Sequence, residues 1–516
     1  MTNVASWLEN SSNIYQDKTA LITNKGAYSY KDLEIKSCSI AHYLQDNGIK
    51  KGERFLICSN EPHLVVTAIF ASLKIGTTFV VIHPDTPEDM IQYYAAHSGA
   101  SVILIDKVIN LDKKVSDQLK LKIQFGCIEN KNWVNINDLL NYNISPYIPL
   151  KLSSDDTAAL IYTSGSSGNP KGVISTHGNI KFSTETINNY LKHTSADTIL
   201  CFLPLSFDYG LYQIFLCFSK GATVIIKNST YFAFEAPRII KEYNVTGIAG
   251  VRNLLTTFCK TRNFNKSNNI RYITNTGEYL DLYTIKELKK LAPKAEIFLM
   301  YGLTECKRVS YLPPKLIETH YKSVGYPLPG TQAKIIDEKG DECSPYKNGE
   351  LLVKGPHVTR GYWKDKTETE KRFVLINGET YLKTGDLFYK DSEGLLYFVG
   401  RKDLMFKSKG YRIEPEEIES QIKRNIEAIH DIVVIDYYDK RDNSVKIGYC
   451  IRSDENDITE LKRQVESVIR SKMEPWKKPS KQIILKELPL TSSGKINREK
   501  IRSLFENKKV EEVEYG

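Results

Sequence analysis

The sequence predicts an α/β protein with a large N-terminal domain of parallel βαβ subdomains plus a β subdomain, and a small α+β C-terminal domain. Three observations lead to this prediction. The chain has 516 residues, which is too long for a single hydrophobic core. Over the first 400 residues, short apolar runs alternate with helix-like stretches, as expected of parallel βαβ units. Beyond that point the pattern becomes that of a compact α+β domain of ordinary size.

Several elements of the N-terminal domain follow from their residue patterns. Residues 65–73 are predicted as a helix that ends before Gly76, and residues 78–82 as the buried strand that follows. Residues 222–226 and 295–300 are further strand predictions, each leading toward a polar loop. Ligands of parallel sheets bind at the carboxyl ends of the strands, so these loops are candidate site segments.

The C-terminal part combines a helical and a strand pattern. Isoleucines recur at helical spacing from Ile418 through Ile422 and Ile426 to Ile429. Strands are then predicted at 432–435 and 445–449, and a second helix passes through Leu461, Val465 and Ile469. Together they predict one helix–strand domain.

The domain boundary is predicted where the chain changes character, at residues 401–403. The N-terminal domain is expected to cover residues 1–400, and its part after about residue 320 is rich in glycine and short alternating strands. The C-terminal domain is expected to cover residues 404–516.

Composition argues against several classes of protein. The formal net charge is +9, but basic and acidic residues are interspersed and no basic run carries interleaved aromatics, so we expect no nucleic-acid partner. No apolar run is long enough for a membrane span, and the N-terminus lacks the pattern of a secretory signal. The nine cysteines are scattered and never spaced as Cys-x-x-Cys, which indicates reduced thiols in a cytoplasmic protein.

Residues 160–172, which read LIYTSGSSGNPKG, are the most informative stretch. An apolar run ends in small residues, whose backbone approaches a polyanion closely and whose amides and hydroxyls donate to phosphate oxygens. Lys171 adds a mobile positive charge. The spacing is not that of a P-loop, and a flexible Ser/Gly linker rarely follows a buried strand. The stretch therefore indicates a different kind of nucleotide-binding loop.

This stretch resembles the phosphate-binding signature of the adenylate-forming (AMP-binding) superfamily, which includes acyl-CoA synthetases, adenylation domains of nonribosomal peptide synthetases, and luciferases. The resemblance covers nearly the whole chain, because further family motifs follow in the family's order. They are residues 275–278 (NTGE), 301–305 (YGLTE), 349–351 (GEL), 381–387 (YLKTGDL), 400–403 (GRKD), 410–419 (GYRIEPEEIE) and 493–495 (SGK). Such a series is very hard to obtain by chance.

The resemblance implies ATP and Mg²⁺ as cofactors and assigns residues to the nucleotide. The phosphates would be held by Thr163, Ser164, Gly165, Ser166, Ser167, Gly168 and Lys171. Thr304 would contact the α-phosphate, and Glu305 would bind Mg²⁺, which prefers oxygen ligands. Adenine would be contacted by Gly277, Glu278, Tyr279 and Tyr301. Asp386 would accept the ribose hydroxyls, and Arg401 would reach the ribose or a phosphate. Lys495 would bridge the substrate carboxylate and ATP, so that Lys495, Thr304, Glu305 and Lys171 form the catalytic set.

In the family, a second half-reaction follows adenylate formation. The C-terminal domain is mobile and rotates about the linker aspartate, here Asp403, so that a thiol can reach the adenylate. Gly410 would then line the pantetheine tunnel, where a side chain would obstruct a narrow channel. Alone, Gly410 could equally be a turn glycine.

The acyl pocket is implied by the segment around Phe207 and Asp208. Amino-acid adenylation domains carry Phe-Asp there, and the aspartate pairs with the substrate's α-ammonium group. As an alternative, Asp208 is a turn or helix-cap residue. The other pocket residues implied are Tyr209, Tyr212, Ala249, Thr274, Thr276, Met300, Arg308 and Val309. The pair Lys307-Arg308 departs from the small or apolar residues common there, which leaves open a substrate with an acidic or hydroxyl group.

The leading interpretation is a stand-alone ligase that adenylates a small carboxylic acid, an α-amino acid, and loads it onto the phosphopantetheine thiol of a separate carrier protein. The alternative is an acyl-CoA synthetase that uses free CoA. A degenerate nucleotide-binding scaffold is the non-enzyme alternative. It predicts losses among Lys171, Glu305, Asp386 and Lys495, and all four are present.

Overall fold

The structure is a computed structural model, and its described residues fall into two compact units. The described residues are 3–126, 132–148, 150–163, 170–227, 232–260, 267–402, 404–408, 411–413, 415–439, 444–473, 477–491 and 494–506. The larger unit comprises Met1–Lys334 and Leu352–Lys383, and the smaller unit comprises Ile335–Leu351 and Thr384–Gly516. The division at residues 401–403 stays a prediction.

Helices and strands alternate along most of the described chain. The helices are α1 (Ser6–Tyr15), α2 (Tyr30–Asp46), α3 (Pro62–Ile75), α4 (Glu88–Ser98), α5 (Lys113–Gln118), α6 (Ile136–Leu139), α7 (His177–Leu191), α8 (Asp208–Phe218), α9 (Phe232–Glu242), α10 (Arg252–Lys260), α11 (Leu282–Leu291), α12 (Ile317–His320), α13 (Lys366–Arg372), α14 (Pro415–Asn425), α15 (Ile458–Lys472) and α16 (Arg498–Glu506). The strands are β1 (Thr19–Thr23), β2 (Gly26–Ser29), β3 (Arg54–Cys58), β4 (Thr78–Val81), β5 (Ala100–Ile105), β6 (Leu121–Gln124), β7 (Val134–Asn135), β8 (Thr157–Thr163), β9 (Lys171–Thr176), β10 (Thr198–Cys201), β11 (Thr223–Ile226), β12 (Gly247–Gly250), β13 (Tyr272–Asn275), β14 (Glu296–Tyr301), β15 (Ser310–Leu312), β16 (Tyr326–Pro327), β17 (Gln332–Ile336), β18 (Gly349–Lys354), β19 (Phe373–Ile376), β20 (Glu379–Lys390), β21 (Leu396–Arg401), β22 (Phe406–Ser408), β23 (Tyr411–Ile413), β24 (Asp431–Asp439), β25 (Ser444–Arg452) and β26 (Lys481–Leu485).

The larger unit contains two sheets that are parallel in their centres. The described strands of the first follow the order β16-β15-β14-β13-β12-β10-β11-β1-β2, and those of the second follow β7-β6-β5-β3-β4-β8-β9. In the first sheet the pairs from β14 through β1 are parallel, and the antiparallel pairs lie at its ends. In the second, β8 and β9 form an antiparallel hairpin beside parallel strands.

Helices α3 and α8 are buried almost all round and belong to one hydrophobic core with both sheets. The rings of Phe70 on α3 and Phe218 on α8 stack with centroids 5.5 Å apart. The ring centroid of Phe215 on α8 also lies 6.4 Å from that of Phe79 on β4. A helix that is apolar on every side has to be buried, so the position of α8 and of its first residue, Asp208, is fixed by packing.

The smaller unit contains the three-stranded sheet β24-β25-β26, with helices on both faces. Alternate residues of β24 point to opposite sides, as strand geometry requires. Val434 packs in one cluster with α14 and α15, whereas Val433 and Ile435 pack in another with Ile501 and Phe505 of α16.

The predicted elements are confirmed with one exception. The helix and strand predicted on either side of Gly76 are α3 and β4, and the later strand predictions correspond to β11, β14, β24 and β25. The helix predicted to pass through Ile429 is wrong at its end, because α14 stops at Asn425. Ile426 and Ile429 lie in the following turn, where their side chains still reach the same core as Ile418. Within the described residues, no helix is long and apolar enough to cross a membrane.

One buried carboxylate joins the amino-terminal ends of several parallel strands of the first sheet. Asp197, which precedes β10, is 3% exposed. It accepts hydrogen bonds from Arg271 Nε and Nη2, both at 2.7 Å, and from Thr246 Oγ1 at 2.7 Å. Arg271 precedes β13 and Thr246 precedes β12, and the backbone oxygen of Asp197 accepts from Thr223 N of β11 at 2.9 Å. The starts of four strands, β10 to β13, are therefore held together at this residue.

We expect Asp197→Ala to lower the free energy of unfolding of the larger unit by about 2 kcal/mol, because Arg271 and Thr246 lose their buried, charged hydrogen-bond acceptor. A urea unfolding transition measures this change. Glu242→Ala is the control, since it removes an exposed pair with Arg238 whose side chains are 43% and 62% exposed, and it should cost less than about 0.5 kcal/mol. Equal costs for the two variants would contradict the proposed role of Asp197.

Candidate active site

Several predicted site residues lie at the carboxyl ends of the parallel strands β12, β13 and β14. Ala249 is paired in register with Thr274, and Thr274 with Phe298. Thr276 follows β13 and is 8% exposed, and Met300 lies near the end of β14 at 6% exposed. This edge of the sheet is where a parallel α/β protein binds its ligand.

The residues predicted to lie along adenine follow β13 directly. Gly277 has a φ of 89°, a left-handed conformation that favours glycine. Glu278 is half-buried, and Tyr279 is 50% exposed with its ring centroid 6.4 Å from that of Tyr321. Tyr301 ends β14 and is half-buried. The side chains of Glu278, Tyr279 and Tyr301 are therefore partly exposed, so that a nucleotide base can contact them.

The loop after β14 is folded tightly back on itself. A Cβ atom on Gly302 would lie 1.9 Å from the backbone oxygen of Lys307, so only glycine fits there. Val309 N donates to Tyr301 O at 2.9 Å and closes the loop. Thr304 and Glu305 are both half-buried within it. The loop therefore presents the predicted α-phosphate and Mg²⁺ residues from a rigid frame.

The predicted phosphate loop joins β8 to β9. Thr163 ends β8 and is paired in register with Lys171, the first residue of β9. Ser164, Gly165, Ser166, Ser167 and Gly168 lie outside the described residues. Lys171 Nζ forms an ion pair with Glu368 at 3.2 Å, and it lies 5.7 Å from the ring centroid of Tyr362.

Tyr362 links the two predicted phosphate-binding segments and was not predicted from the sequence. Its hydroxyl donates to Glu305 Oε1 at 2.6 Å. Burial, together with the charge of Glu305, raises the pKa of Tyr362, so the hydroxyl stays protonated and keeps donating. Trp363 N donates to Gly172 O at 2.7 Å, which fixes this segment along β9. The only sequence signal is an aromatic pair directly after a glycine, in residues 361–363.

Asp208 is the first residue of α8. Its neighbour Phe207 is the N-cap position and provides no side-chain cap. Both are half-buried, whereas Tyr209 and Tyr212 on the same helix are 6% and 4% exposed. A carboxylate in the first turn is stabilised by the helix dipole, which keeps the alternative of a helix-terminal role open.

The other predicted pocket residues form contacts with one another. Tyr209 and Thr274 share a hydrogen bond between their side-chain oxygens at 2.6 Å. The Arg308 guanidinium lies 5.7 Å from the ring centroid of Tyr209. Met300 Sδ accepts from the hydroxyl of Tyr190 at 3.1 Å, and Val309 is fully buried. The structure thus brings Tyr209, Thr274 and Arg308 together.

Asp386 and Arg401, both in the smaller unit, face each other on paired strands. They are register partners in β20 and β21, and Arg401 Nε lies 3.4 Å from Asp386 Oδ1. Asp386 is 2% exposed, and its backbone N donates to Thr384 Oγ1 at 3.1 Å. Asp386, predicted to bind ribose, is therefore adjacent to Arg401, predicted to reach the ribose or a phosphate.

Lys495 lies in a tight turn and is exposed. Thr491 N donates to Lys495 O at 2.7 Å, and Gly494 has a φ of 79°. Asp403 and Gly410, predicted for the hinge and the thiol tunnel, lie outside the described residues.

The residues around Glu305 suit a nucleotide-bound Mg²⁺. Within the described parts of the chain, no group of three or more His, Cys, Asp or Glu side chains is arranged to hold a metal ion. Mg²⁺ that is bound with a nucleotide needs only one or two carboxylates, because phosphate oxygens and water complete its shell. Glu305, oriented by Tyr362, meets that requirement.

These features are those of an α/β protein with a candidate nucleotide site at the carboxyl edge of a parallel sheet. Comparison with known proteins identifies the family. Residues 8–363 match the AMP-binding enzyme family, and residues 417–495 match the AMP-binding enzyme C-terminal domain. The chain belongs to the AMP-binding enzyme family and is an AMP-forming ligase.

Three relatives illustrate its range. Bacitracin synthase 1 of Bacillus licheniformis is 27% identical over 97% of the chain, which spans only 9% of that protein. D-alanine–D-alanyl carrier protein ligase of Bacillus licheniformis is 27% identical over 94% of the chain and 96% of its own length. The structure of o-succinylbenzoate coenzyme A synthetase from Bacillus subtilis with ATP and magnesium has a TM-score of 0.80 at 26% identity, covering 96% of this chain and 98% of that one.

We expect Tyr362→Phe to raise the Mg²⁺ concentration for half-maximal pyrophosphate exchange about tenfold, because outer partners that orient a metal ligand affect affinity by about 10–100-fold. The exchange of labelled pyrophosphate into ATP, titrated with Mg²⁺, measures this. Tyr283→Phe, at a 72% exposed tyrosine, is the control and should leave the titration unchanged. An unchanged titration for Tyr362→Phe would show that Tyr362 does not orient the ligand.

Proposed function

We propose that the protein activates an α-amino acid as its adenylate and transfers the aminoacyl group to the phosphopantetheine thiol of a separate carrier protein. Bound ATP with Mg²⁺ supplies the electrophilic α-phosphorus and the pyrophosphate leaving group. A carboxylate oxygen of the acid attacks that phosphorus. The thiol sulfur then attacks the acyl carbon, and AMP leaves.

The chain's own residues have distinct parts in this proposal. Lys171 supplies a positive charge to the β- and γ-phosphates, exchanging its ion pair with Glu368 for a phosphate oxygen. Thr304 donates a hydrogen bond to the α-phosphate, while the carboxylate of Glu305 binds Mg²⁺. Asp386 accepts the ribose hydroxyls, which suits a carboxylate with two acceptor oxygens.

The position of Asp208 is the observation that carries the amino-acid substrate. It stands half-buried at the start of α8, where the following Tyr209 belongs to the predicted pocket. A half-buried carboxylate is stabilised by a cationic partner, and an α-ammonium group is one. A carrier-protein acceptor is supported by the match to D-alanine–D-alanyl carrier protein ligase over nearly its full length.

An acyl-CoA synthetase that uses free CoA is the second candidate, and Lys307 favours it. Burial lowers the pKa of Lys307, and the negative charge of Asp208 acts in the opposite direction. The two residues therefore interact electrostatically. A resident lysine supplies Asp208 with a cation without any substrate ammonium. The chain is 26% identical in sequence to a CoA synthetase of known structure and 27% identical to the carrier-protein ligase, so sequence identity does not favour either acceptor.

Asp208→Asn tests the substrate class. We expect it to reduce pyrophosphate exchange with amino acids by at least about 100-fold and to leave ATP binding unchanged, because a site built around an ionic hydrogen bond discriminates strongly. The native enzyme should likewise use the matching des-amino acid poorly. If native exchange is equal with the amino and des-amino acids, Asp208 has a structural role and the CoA synthetase becomes the leading proposal.

Lys495→Ala tests the separation of the two half-reactions. The carboxylate and the triphosphate repel each other, so loss of a cation should slow adenylation by about two to three orders of magnitude. Transfer to thiol from a preformed adenylate should be nearly unaffected, and rapid-quench measurement of each step shows the difference. Lys500→Ala, at another exposed lysine nearby in sequence, is the control. Equal slowing of both steps would refute this role for Lys495.

A further inference from the structure

Lys307 and Arg308 are consecutive cationic residues that are almost completely buried. Lys307 is 7% exposed and Arg308 is 6% exposed. Lys307 also has a φ of 55°, a left-handed conformation that is uncommon outside glycine. Backbone strain of this kind persists where the surrounding structure enforces it, and it is concentrated at functional sites.

The protein around the two cations does not satisfy all of their donors. Among the described residues, Arg308 Nε, Arg308 Nη1 and Lys307 Nζ are buried without a hydrogen-bond partner. Burying an ionised group is costly unless it is paired and hydrogen-bonded. The arginine cannot lose its charge to escape this cost, since guanidinium stays protonated in proteins. A ligand with acceptor oxygens would satisfy these donors.

The surroundings of Arg308 are the residues of the predicted acyl pocket. Its guanidinium lies over the ring of Tyr209, at 5.7 Å from the centroid, and Tyr209 is hydrogen-bonded to Thr274. Arg308 is also close to Tyr190 and forms a side-chain hydrogen bond with it. Burial raises the pKa of Tyr190 to about 12, and the charge and hydrogen bond of Arg308 act in the opposite direction. Aromatic rings provide a face for the cation but no anionic partner.

The carboxylates near this pair of cations act on Lys307. Burial lowers the pKa of Lys307, and the negative charges of Asp208 and Glu305 both act in the opposite direction. The ammonium of Lys307 lies 5.7 Å from the ring centroid of Tyr212, on the same helix as Asp208. Arg308 keeps two buried nitrogen atoms, Nε and Nη1, without a hydrogen-bond partner, so it is the cation that a ligand carboxylate would pair with. A carboxylate would supply one negative charge, whereas a phosphate would bring about 1.5 to 2.

We infer that the acid activated by this enzyme carries a second carboxylate, which the guanidinium of Arg308 binds in the acyl pocket. This inference rests on the proposed adenylation but not on the presence of an α-amino group. The planar guanidinium matches a carboxylate in geometry and charge, and a lysine or a neutral donor does not reproduce that match. Arg308 is thus a specificity-determining residue.

The test compares each diacid with its neutral half-amide in pyrophosphate exchange. The pairs are succinate and succinamate, aspartate and asparagine, and glutamate and glutamine. For at least one pair, the native enzyme should show kcat/KM at least about 100-fold higher with the diacid, because a site built for an ionic partner rejects the isostere that lacks it. Arg308→Gln should abolish this preference, and Arg308→Lys should retain part of it.

Arg238→Gln is the matched control, because it removes an arginine that is 62% exposed on α9. It should leave the preference unchanged. The inference is overturned if the native enzyme uses half-amides as well as diacids, or uses neutral acids and none of the diacids. Either result leaves adenylate formation intact. Release of ADP instead of AMP with the acids that turn over would instead refute the proposed function itself. If Arg308→Gln does not fold, the native preference and Arg308→Lys still decide the question.

Discussion

The carboxylate of Asp197 is the constraint on which the candidate site depends most. It is buried at the amino-terminal edge of the first sheet, where it binds Arg271 and Thr246 through its side chain and Thr223 through its backbone. Parallel strands that start at a common point keep their register along their length. The carboxyl ends of β12 and β13 are thereby held in the relation that places Ala249 beside Thr274. The ion pair at one edge of the sheet therefore supports the arrangement of the site residues at the other edge.

Long-range contacts decide how much of this the sequence could predict. The helices and strands around Gly76 depend on local periodicity, and so does β14, which is why they were predicted. The partners of Asp197 lie 49 and 74 residues along the chain, and Tyr362 lies 57 residues from Glu305. No local pattern encodes such pairs. The end of α14 was missed for a related reason, because residues beyond a helix can fill the same core and preserve the apolar spacing.

The candidate site residues divide in the same way. The motifs indicate which residues belong to the nucleotide site, since their side-chain types and order suffice for that. They do not indicate that Lys171 is paired with Glu368, or that Lys307 and Arg308 are buried. Burial of a charged pair depends on the fold around it. In the sequence, two adjacent basic residues are most often a solvated surface.

The loop between β14 and β15 joins the two halves of the proposed reaction. Thr304 and Glu305 are proposed to bind the phosphates and Mg²⁺, while Arg308 in the same loop is proposed to bind the acid. Gly302 lies against the backbone of Lys307, so the loop has little room to change shape. Because one rigid segment would hold both reactants, a misplaced acid would be out of line with the α-phosphate. Adenylation depends on the reacting oxygen and phosphorus meeting in a defined geometry. Burying Arg308 costs free energy, but it would make the site selective. Only an acid that satisfies this residue would bring its reactive carboxylate to the α-phosphate.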